Sequence, residues 1–197
     1  LIVAGTRVAR DRINLEVRNQ IGMIDEAVLA SLSRKDLTDS QRKSILHYEA
    51  GDVLKAQVAF KTLGVQRGEL ISVLARDQGC LLVTTEDGRE INLDPVSTHR
   101  FEVFRPKSMA IGAGDWLRFG ENIHSLGVAN GDRATVLECR PQQEELVVQL
   151  DDGRKLLLDV SRPLALDYGY CSTVYSAQGK TCREVLIEAD AHSATSN

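Results

Sequence analysis

The sequence predicts an α/β fold combined with an all-β part, in which two small tandem β-barrels interrupt a parallel sheet. Three observations support this prediction. A short apolar run opens the chain, a segment of about 45 residues is repeated in its middle, and each copy contains an Asp-Gly pair between two apolar runs. The apolar run indicates a buried strand, and the Asp-Gly pairs indicate tight hairpins.

The opening run, Leu1–Ala4, has no polar alternation, which is typical of a strand buried in a parallel sheet. Gly5 and Thr6 then turn the chain into a predicted helix over residues 7–19. One side of this helix carries three apolar residues, Val8, Ile13 and Val17. The other sides carry four arginines, Arg7, Arg10, Arg12 and Arg18. The arginines form either a solvated helix face or a basic face for nucleic acid.

The first predicted domain segment, residues 1–50, continues with an α-helical connector over residues 25–50. The polar stretch from Ser33 to Asp39 interrupts this connector. Thr38 or Asp39 is placed to cap a helix that runs from Gln41 to Tyr48.

The middle of the chain is duplicated. The signature Gly51-Asp52-Val53-Leu54 recurs 63 positions later as Gly114-Asp115-Trp116-Leu117, and residues 63–68 recur with the same offset. The segment around the Asp-Gly pair, residues 85–91, recurs 65 positions later. The second copy is therefore predicted to carry a small insertion near Pro141.

Each copy is predicted to form a small β-barrel, over residues 51–95 and 114–160. The Asp-Gly pairs predict hairpin turns in which both turn residues have positive φ, and a further strand precedes each hairpin. Short strands and tight turns resemble an SH3-like barrel. Residues 96–113 link the copies, and the alternating stretch Arg100–Phe104 predicts an edge strand.

Residues 161–197 are predicted to return the chain to the parallel sheet, so the two ends of the chain should be neighbours in space. Within the stretch from Tyr170 to Thr181, three residues offer hydroxyl groups in close succession, followed by an amide and a glycine: Thr173, Tyr175, Ser176, Gln178 and Gly179. Such groups suit phosphate positioning and base stacking. The alternative interpretation is a polar loop before a buried strand at Val185-Leu186-Ile187.

Composition restricts the possible functions. A net charge of −4 and a pI near 5.6 do not fit a protein that coats nucleic acid, so weak, salt-sensitive binding is expected. No run approaches the roughly 18 apolar residues of a membrane span, so no membrane insertion is expected. Four cysteines without metal-ligand spacing predict reduced thiols and a cytoplasmic protein.

Two segments resemble motifs of superfamily 1 helicases of the RecD-like branch. The stretch AGTRVARDRINLEVR at residues 4–18 resembles motif IV, and YCSTVYSAQGKT at residues 170–181 resembles motif V. Together with residues 32–53, they make the chain similar to the helicase half of conjugative relaxases of the TraI/TrwC (MobF) type. The resemblance implies a RecA-like (P-loop NTPase) motor domain interrupted by two SH3-like barrels.

The resemblance also implies roles for individual residues. Four residues would contact single-stranded DNA: Thr6, Thr173, Tyr175 and Ser176. Gln178 and Gly179 would face the nucleotide cleft. Asn14 and Arg18 would lie on a supporting helix.

For the complete protein, the resemblance implies 5′-to-3′ DNA unwinding that depends on ATP and Mg²⁺, in the cytoplasm of a donor cell. It also implies passage through a type IV secretion system, with a coupling protein as partner and a translocation signal in the barrels. The sequence has no G-x-x-x-x-G-K-[ST] pattern, no acidic pair of the Walker B type and no nicking residues. These residues alone are therefore predicted to bind no cofactor and to be inactive. Two alternatives stay open: a protein-recognition module only, or part of a RecD-like repair helicase.

Overall fold

The structure, a computed structural model, describes residues 1–179 and 181–188. The chain forms two compact units. The terminal unit comprises Leu1–Ser31 and the described part of Ser108–Asn197, and the inner unit comprises Leu32–Lys107. The first copy of the repeat, hereafter the first module (residues 51–95), lies in the inner unit. The second module (residues 114–160) lies in the terminal unit, together with the two motif-like segments.

The helices are α1 (Arg7–Gln20), α2 (Asp39–Arg42) and α3 (Val174–Ala177). The strands are β1 (Ile2–Ala4), β2 (Ala27–Arg34), β3 (Val53–Ala56), β4 (Leu70–Asp77), β5 (Cys80–Thr85), β6 (Glu90–Leu93), β7 (Phe101–Ile111), β8 (Trp116–Phe119), β9 (Arg133–Arg140), β10 (Glu145–Leu150), β11 (Lys155–Asp159), β12 (Leu166–Tyr168), β13 (Cys171–Thr173) and β14 (Leu186–Glu188). Short 3₁₀ helices lie at Ile45–His47, Lys61–Leu63, Pro95–Arg100, His124–Leu126 and Pro141–Gln143. Within the described residues, no helix is long and apolar enough to span a membrane.

A small parallel sheet joins the two ends of the terminal unit. β1 lies between β13 and β14 and pairs with both in parallel. Val3 and Ala4 are buried, which confirms the predicted strand. The pairing of β1 with β13 and β14 confirms that the two ends of the described chain are neighbours in space. The interpretation of the run at residues 185–187 as a buried strand is wrong. Leu186 and Ile187 are 67% and 69% exposed, because β14 is an edge strand and no described strand lies beyond it.

The predicted helix is confirmed as α1, but its packed side combines apolar residues with arginines and an asparagine. The buried residues are Ala9, Arg10, Asn14 and Arg18. Val8, expected on the packed side, is 81% exposed. Ile13 and Val17 are partly buried and pack against apolar clusters, while Arg10, Asn14 and Arg18 face hydrogen-bond partners in the terminal unit. The solvated-face interpretation is therefore wrong for Arg10 and Arg18, whereas Arg7 and Arg12 are exposed.

The α-helical connector over residues 25–50 is wrong in its first part, because residues 27–34 form β2. Leu29 and Ser31 are buried while Val28 and Ala30 are exposed, and this alternation favours a strand over a helix. The predicted cap is confirmed: the Thr38 Oγ1 accepts a hydrogen bond from the Gln41 N–H at 3.3 Å. The helix that follows is shorter than predicted and ends at Arg42.

The two modules share one architecture, which confirms the repeat. The strands β3 to β6 form an antiparallel meander, and β8 to β11 form another with the same order. In both, the 3₁₀ helix after the first strand ends at a left-handed glycine, Gly64 (φ 67°) or Gly127 (φ 61°). The predicted insertion is also confirmed: residues 78–79 connect β4 to β5, whereas residues 141–144 connect β9 to β10.

Each module is extended by one more strand beside its first one. β7 pairs with β3, and β12 pairs with β8. The prediction of an edge strand at Arg100–Phe104 is wrong, since β7 lies between β2 and β3. Phe101, Val103 and Phe104 are all fully buried there. None of the sheets closes into a barrel within the described residues, so the predicted closure is unconfirmed.

The Asp-Gly turns differ from the predicted type. Gly88 and Gly153 have φ of 81° and 91°, but neither Asp87 nor Asp152 is among the described non-glycine residues with positive φ. In the first hairpin, the Gly88 N–H donates to the Thr85 carbonyl oxygen, and the Thr85 N–H donates to the Arg89 carbonyl oxygen. Both N–O distances are 3.0 Å. This is a type I turn followed by a glycine bulge, which needs positive φ at the glycine alone.

Candidate nucleic-acid interface

The carboxyl ends of β1 and β13 lie side by side. Ala4 is opposite Thr173 in the parallel register. Thr6 follows β1 after one intervening residue, and α3 begins directly after β13. Two segments that are far apart in the sequence therefore meet at one edge of the sheet. In open α/β sheets, ligands bind outside this carboxyl edge.

Thr6 is the N-cap of α1. Its backbone is extended, and its Oγ1 accepts a hydrogen bond from the Ala9 N–H at 3.1 Å. The residue is exposed. Because capping uses the oxygen only as an acceptor, the hydroxyl proton can still be donated to a phosphate oxygen.

Thr173 and Ser176 form a capping box at the start of α3. Their hydroxyl oxygens are 2.9 Å apart, and each accepts from the backbone N–H of the other, at 3.3 Å and 3.0 Å. Both side chains are partly buried. These two predicted contact residues therefore hold the shape of the turn through their side chains.

Tyr175 is the most exposed large side chain at this edge. It is 89% exposed, and the preceding Val174 is 57% exposed. The ring lies on the first turn of α3, whose orientation is fixed by the capping box. An exposed aromatic ring on a rigid turn can stack on a nucleic-acid base.

Gln178 and Gly179 follow α3, and both are exposed. Gly179 has a φ of 82°, a left-handed conformation that favours glycine. The next residue, Lys180, lies outside the described residues. The structure thus places both residues of the predicted nucleotide cleft at the exit of the same turn that carries Tyr175.

Asn14 connects α1 directly to β13. Its Oδ1 accepts a hydrogen bond from the Cys171 N–H at 2.7 Å, and the residue is only 2% exposed. An amide pair of this kind fixes the helix against the strand, since either group would be costly to bury alone. Asn14 therefore joins α1 to β13, and its role on a helix that supports a DNA-binding edge stays a prediction.

Arg18 connects α1 to the second module. Its Nε and Nη2 donate to the two carboxylate oxygens of Asp115 at 2.9 Å and 3.0 Å, a bidentate ion pair. The side chain of Asp115 is fully buried and that of Arg18 is 7% exposed. Arg18 also contacts the exposed Asp25 at 2.7 Å, and its guanidinium lies 5.3 Å from the ring centre of Tyr168.

Asp115 is the centre of a buried polar cluster. Besides Arg18, its carboxylate accepts hydrogen bonds from the Gly112 N–H at 2.8 Å and from the Tyr170 hydroxyl at 2.7 Å. The hydrogen bond to Asp115 raises the pKa of the Arg18 guanidinium. Burial, followed by the hydrogen bond to Asp115, raises the pKa of Tyr170. The cluster ties α1, the residue before β8 and the residue before β13 together.

Sequence reasoning found the Gly-Asp signature of the repeat but assigned no role to its aspartate. The first module uses the equivalent residue in the same way. Asp52 is 2% exposed and accepts from the Lys35 Nζ at 2.7 Å and from the Glu49 N–H at 2.8 Å. Glu49 and Gly112 both lie three positions before their aspartate. The recurrence of an aspartate inside an otherwise apolar signature was the signal that could have identified this anchor.

A metal site is not evident in the described part of the chain, where no group of three His, Cys, Asp or Glu side chains could hold an ion. The four cysteines are free thiols; Cys171 is buried and Cys182 is exposed.

No protein-family model and no curated protein matches the sequence. Among solved structures, the chain is distantly similar to Pif1 helicase from Bacteroides in complex with ADP-AlF3 and ssDNA, with 12% identity and a TM-score of 0.27 over 97% of this chain and 34% of that one. It is also similar to unliganded Pif1 from Bacteroides sp (13% identity, TM-score 0.23, 95% of this chain and 45% of that one) and to Bacteroides Pif1 bound to ssDNA (12%, 0.23, 95% and 34%). The chain thus spans less than half the length of these structures. TM-scores this low do not establish a shared fold.

Proposed function

We propose that this chain is a segment of a DNA helicase motor that holds single-stranded DNA at the carboxyl edge of β1 and β13. The observation that supports this is the meeting of Thr6 and Tyr175 at one exposed edge. The resemblance to motifs IV and V concerns these same two segments. The resemblance implies a RecA-like motor domain in which these two segments contact the strand.

The proposed roles come from the motif resemblance, and the exposure of Thr6 and Tyr175 supports two of them. Tyr175 stacks on a base, and Thr6 donates its hydroxyl proton to the backbone of the strand. Thr173 and Ser176 contact the strand where it crosses the turn that they stabilise. Gln178 and Gly179 face the nucleotide, so that the grip on the strand responds to bound ATP and Mg²⁺, which the complete protein would hold.

The finer assignment rests on the sequence resemblance. Under this assignment, the complete protein is a conjugative relaxase of the TraI/TrwC type that unwinds plasmid DNA in the 5′-to-3′ direction in the cytoplasm. The two modules are SH3-like insertions and carry a signal for a type IV secretion coupling protein. A RecD-like repair helicase would share the strand-binding edge but lack that signal.

Replacing Tyr175 with Ala tests the strand-binding edge. Loss of one stacked base is expected to weaken binding of a labelled oligothymidylate by about 1–3 kcal/mol, or roughly 5- to 150-fold. Fluorescence anisotropy of the purified chain measures the affinity. Because Tyr175 is 89% exposed, thermal stability should be unchanged.

Tyr175→Phe is the matched control. It keeps the ring and should keep the affinity, since stacking does not need the hydroxyl. Equal affinities of the Ala variant and the original chain would contradict the proposed edge.

A second candidate function, recognition of a protein partner by the modules, is favoured by their charge. Residues 51–95 contain five Lys or Arg and seven Asp or Glu, a net charge of −2. Residues 114–160 contain five and nine, a net charge of −4. Net negative surfaces repel a polyanion, so a protein partner is the better match for most of the module surface.

Replacing the inner unit, Leu32–Lys107, with a flexible linker in the full-length protein tests this second function. The second module must be kept, because Asp115 anchors α1 through Arg18. If the first module recognises a partner, plasmid transfer is lost while DNA-stimulated ATP hydrolysis is retained. Loss of ATP hydrolysis or unwinding would instead assign the inner unit to the motor.

A further inference from the structure

A cluster of arginines lies where the first turns of α1 meet the second module. Arg118 is in the middle of β8, opposite Asp167 on β12 and Arg133 on β9. Its Nε is buried and has no hydrogen-bond partner among the described residues. A buried guanidinium N–H without an acceptor is costly, which marks this position as unusual.

Two arginines of α1 are close to Arg118. The side chain of Arg10 is 7% exposed, and its Nη2 is 2.6 Å from the Asp11 Oδ1 and 3.5 Å from the Asp167 Oδ2. Arg7, one turn earlier, is exposed. Asp167 therefore stands between Arg10, which it contacts, and Arg118, which lies opposite it in the sheet.

Three arginines lie close together at this point. The Arg10 guanidinium contacts the carboxylates of Asp11 and Asp167, and Arg7 and Arg10 both lie close enough to act on the Arg118 guanidinium. Burial lowers the pKa of Arg118; Asp167 raises it, and Arg10 and Arg7 lower it. Partly buried positive charges are stabilised by a nearby negative charge. The rest of the second module is acidic, so these arginines differ from the surface around them.

We propose that Arg118, together with Arg7 and Arg10, binds a backbone phosphate of the single strand that passes Thr6. This inference rests on the proposed function and extends it, because it gives the second module a direct contact with DNA. Thr6 immediately precedes Arg7, so the cluster continues the strand-binding edge along α1. The planar guanidinium donors match the oxygens of a phosphate, and Arg118 supplies the contact that α1 cannot make alone.

Arg118→Gln tests the phosphate contact. The variant keeps most of the side-chain length and removes the charge. One phosphate contact fewer should reduce the slope of log affinity against log salt for oligothymidylate by about 0.7. Affinity should fall most at low salt. Anisotropy titrations of the purified chain over a series of salt concentrations measure both, and a thermal melt verifies that the variant is folded.

Arg140→Gln is the matched control, since Arg140 is an arginine of the same module that is paired with Glu138 at 2.9 Å. Its salt slope should equal that of the original chain. An unchanged slope for Arg118→Gln, with Tyr175→Ala still weakened, would overturn this inference and leave the proposed function standing. Absence of any binding to the strand would overturn both.

Inorganic phosphate distinguishes a free anion from DNA. If millimolar phosphate at constant ionic strength raises the melting temperature through Arg118, and the DNA salt slope does not depend on Arg118, the cluster binds a free anion and the inference is wrong. If the DNA slope depends on Arg118 and phosphate competes only weakly, the inference is supported.

Discussion

Asp115→Ala is expected to destabilise the terminal unit by about 3–5 kcal/mol, because it leaves the Arg18 guanidinium buried without its main partner. The Gly112 N–H and the Tyr170 hydroxyl lose their acceptor as well. Trp116 follows Asp115 and is stacked on Tyr170 with ring centres 5.8 Å apart. It is the single tryptophan of the chain, so its fluorescence during urea unfolding reports on this unit directly.

Asp25→Ala is the matched control for this prediction. It removes the other carboxylate from the same guanidinium, at 2.7 Å, but the side chain of Asp25 is 60% exposed. An exposed partner contributes about 0–1 kcal/mol, so the unfolding midpoint should hardly move. Similar losses in the two variants would show that burial of Asp115 does not determine the strength of this anchor.

The local features of the modules could be predicted from the sequence because their causes are local. An Asp-Gly pair between apolar runs specifies a hairpin whichever turn type it adopts, and the two-residue change in offset specified a longer loop near Pro141. The turn type itself was wrong. Only Gly88 of the pair has a positive φ, and the Thr85 Oγ1 accepts a hydrogen bond from the Arg89 N–H, a contact that the Asp-Gly pair alone does not specify.

The packing of α1 could not be predicted in the same way. An apolar-periodicity argument assigns arginines to the solvent and valines to the core. Arg18 is buried because its partner, Asp115, is 97 positions away and is itself fully buried. Val8 is exposed because no described apolar surface covers that side of the helix. Long-range charge pairs leave no periodic signal in the helix that carries them.

The candidate site was predicted in part. Two segments at opposite ends of the chain gave Thr6 and Tyr175, and the parallel pairing of β1 with β13 brings them to one edge. The sequence did not show that Thr173 and Ser176 form a capping box, since Thr-x-x-Ser is a weak capping signal. Arg118 was missed because a single arginine in an apolar strand gives no pattern in the sequence. The charged residues beside it become known only from the strand pairing.

Asp52→Ala is expected to destabilise the inner unit by roughly 3 kcal/mol, at the lower end of the range for a broken buried pair. Its partner Lys35 has a side chain that is 16% exposed and also donates to the His47 carbonyl at 3.0 Å, so the ammonium can reach water more easily than Arg18 can. Amide hydrogen exchange in β3 and β4 measures the loss.

Asp36→Ala, at a position where the side chain is 59% exposed, is the control and should have little effect. Since the two aspartates are equivalent in the repeat, the difference between them depends on their partners, which are Lys35 for Asp52 and Arg18 with the Tyr170 hydroxyl for Asp115. A larger loss for Asp52 than for Asp115 would contradict this explanation.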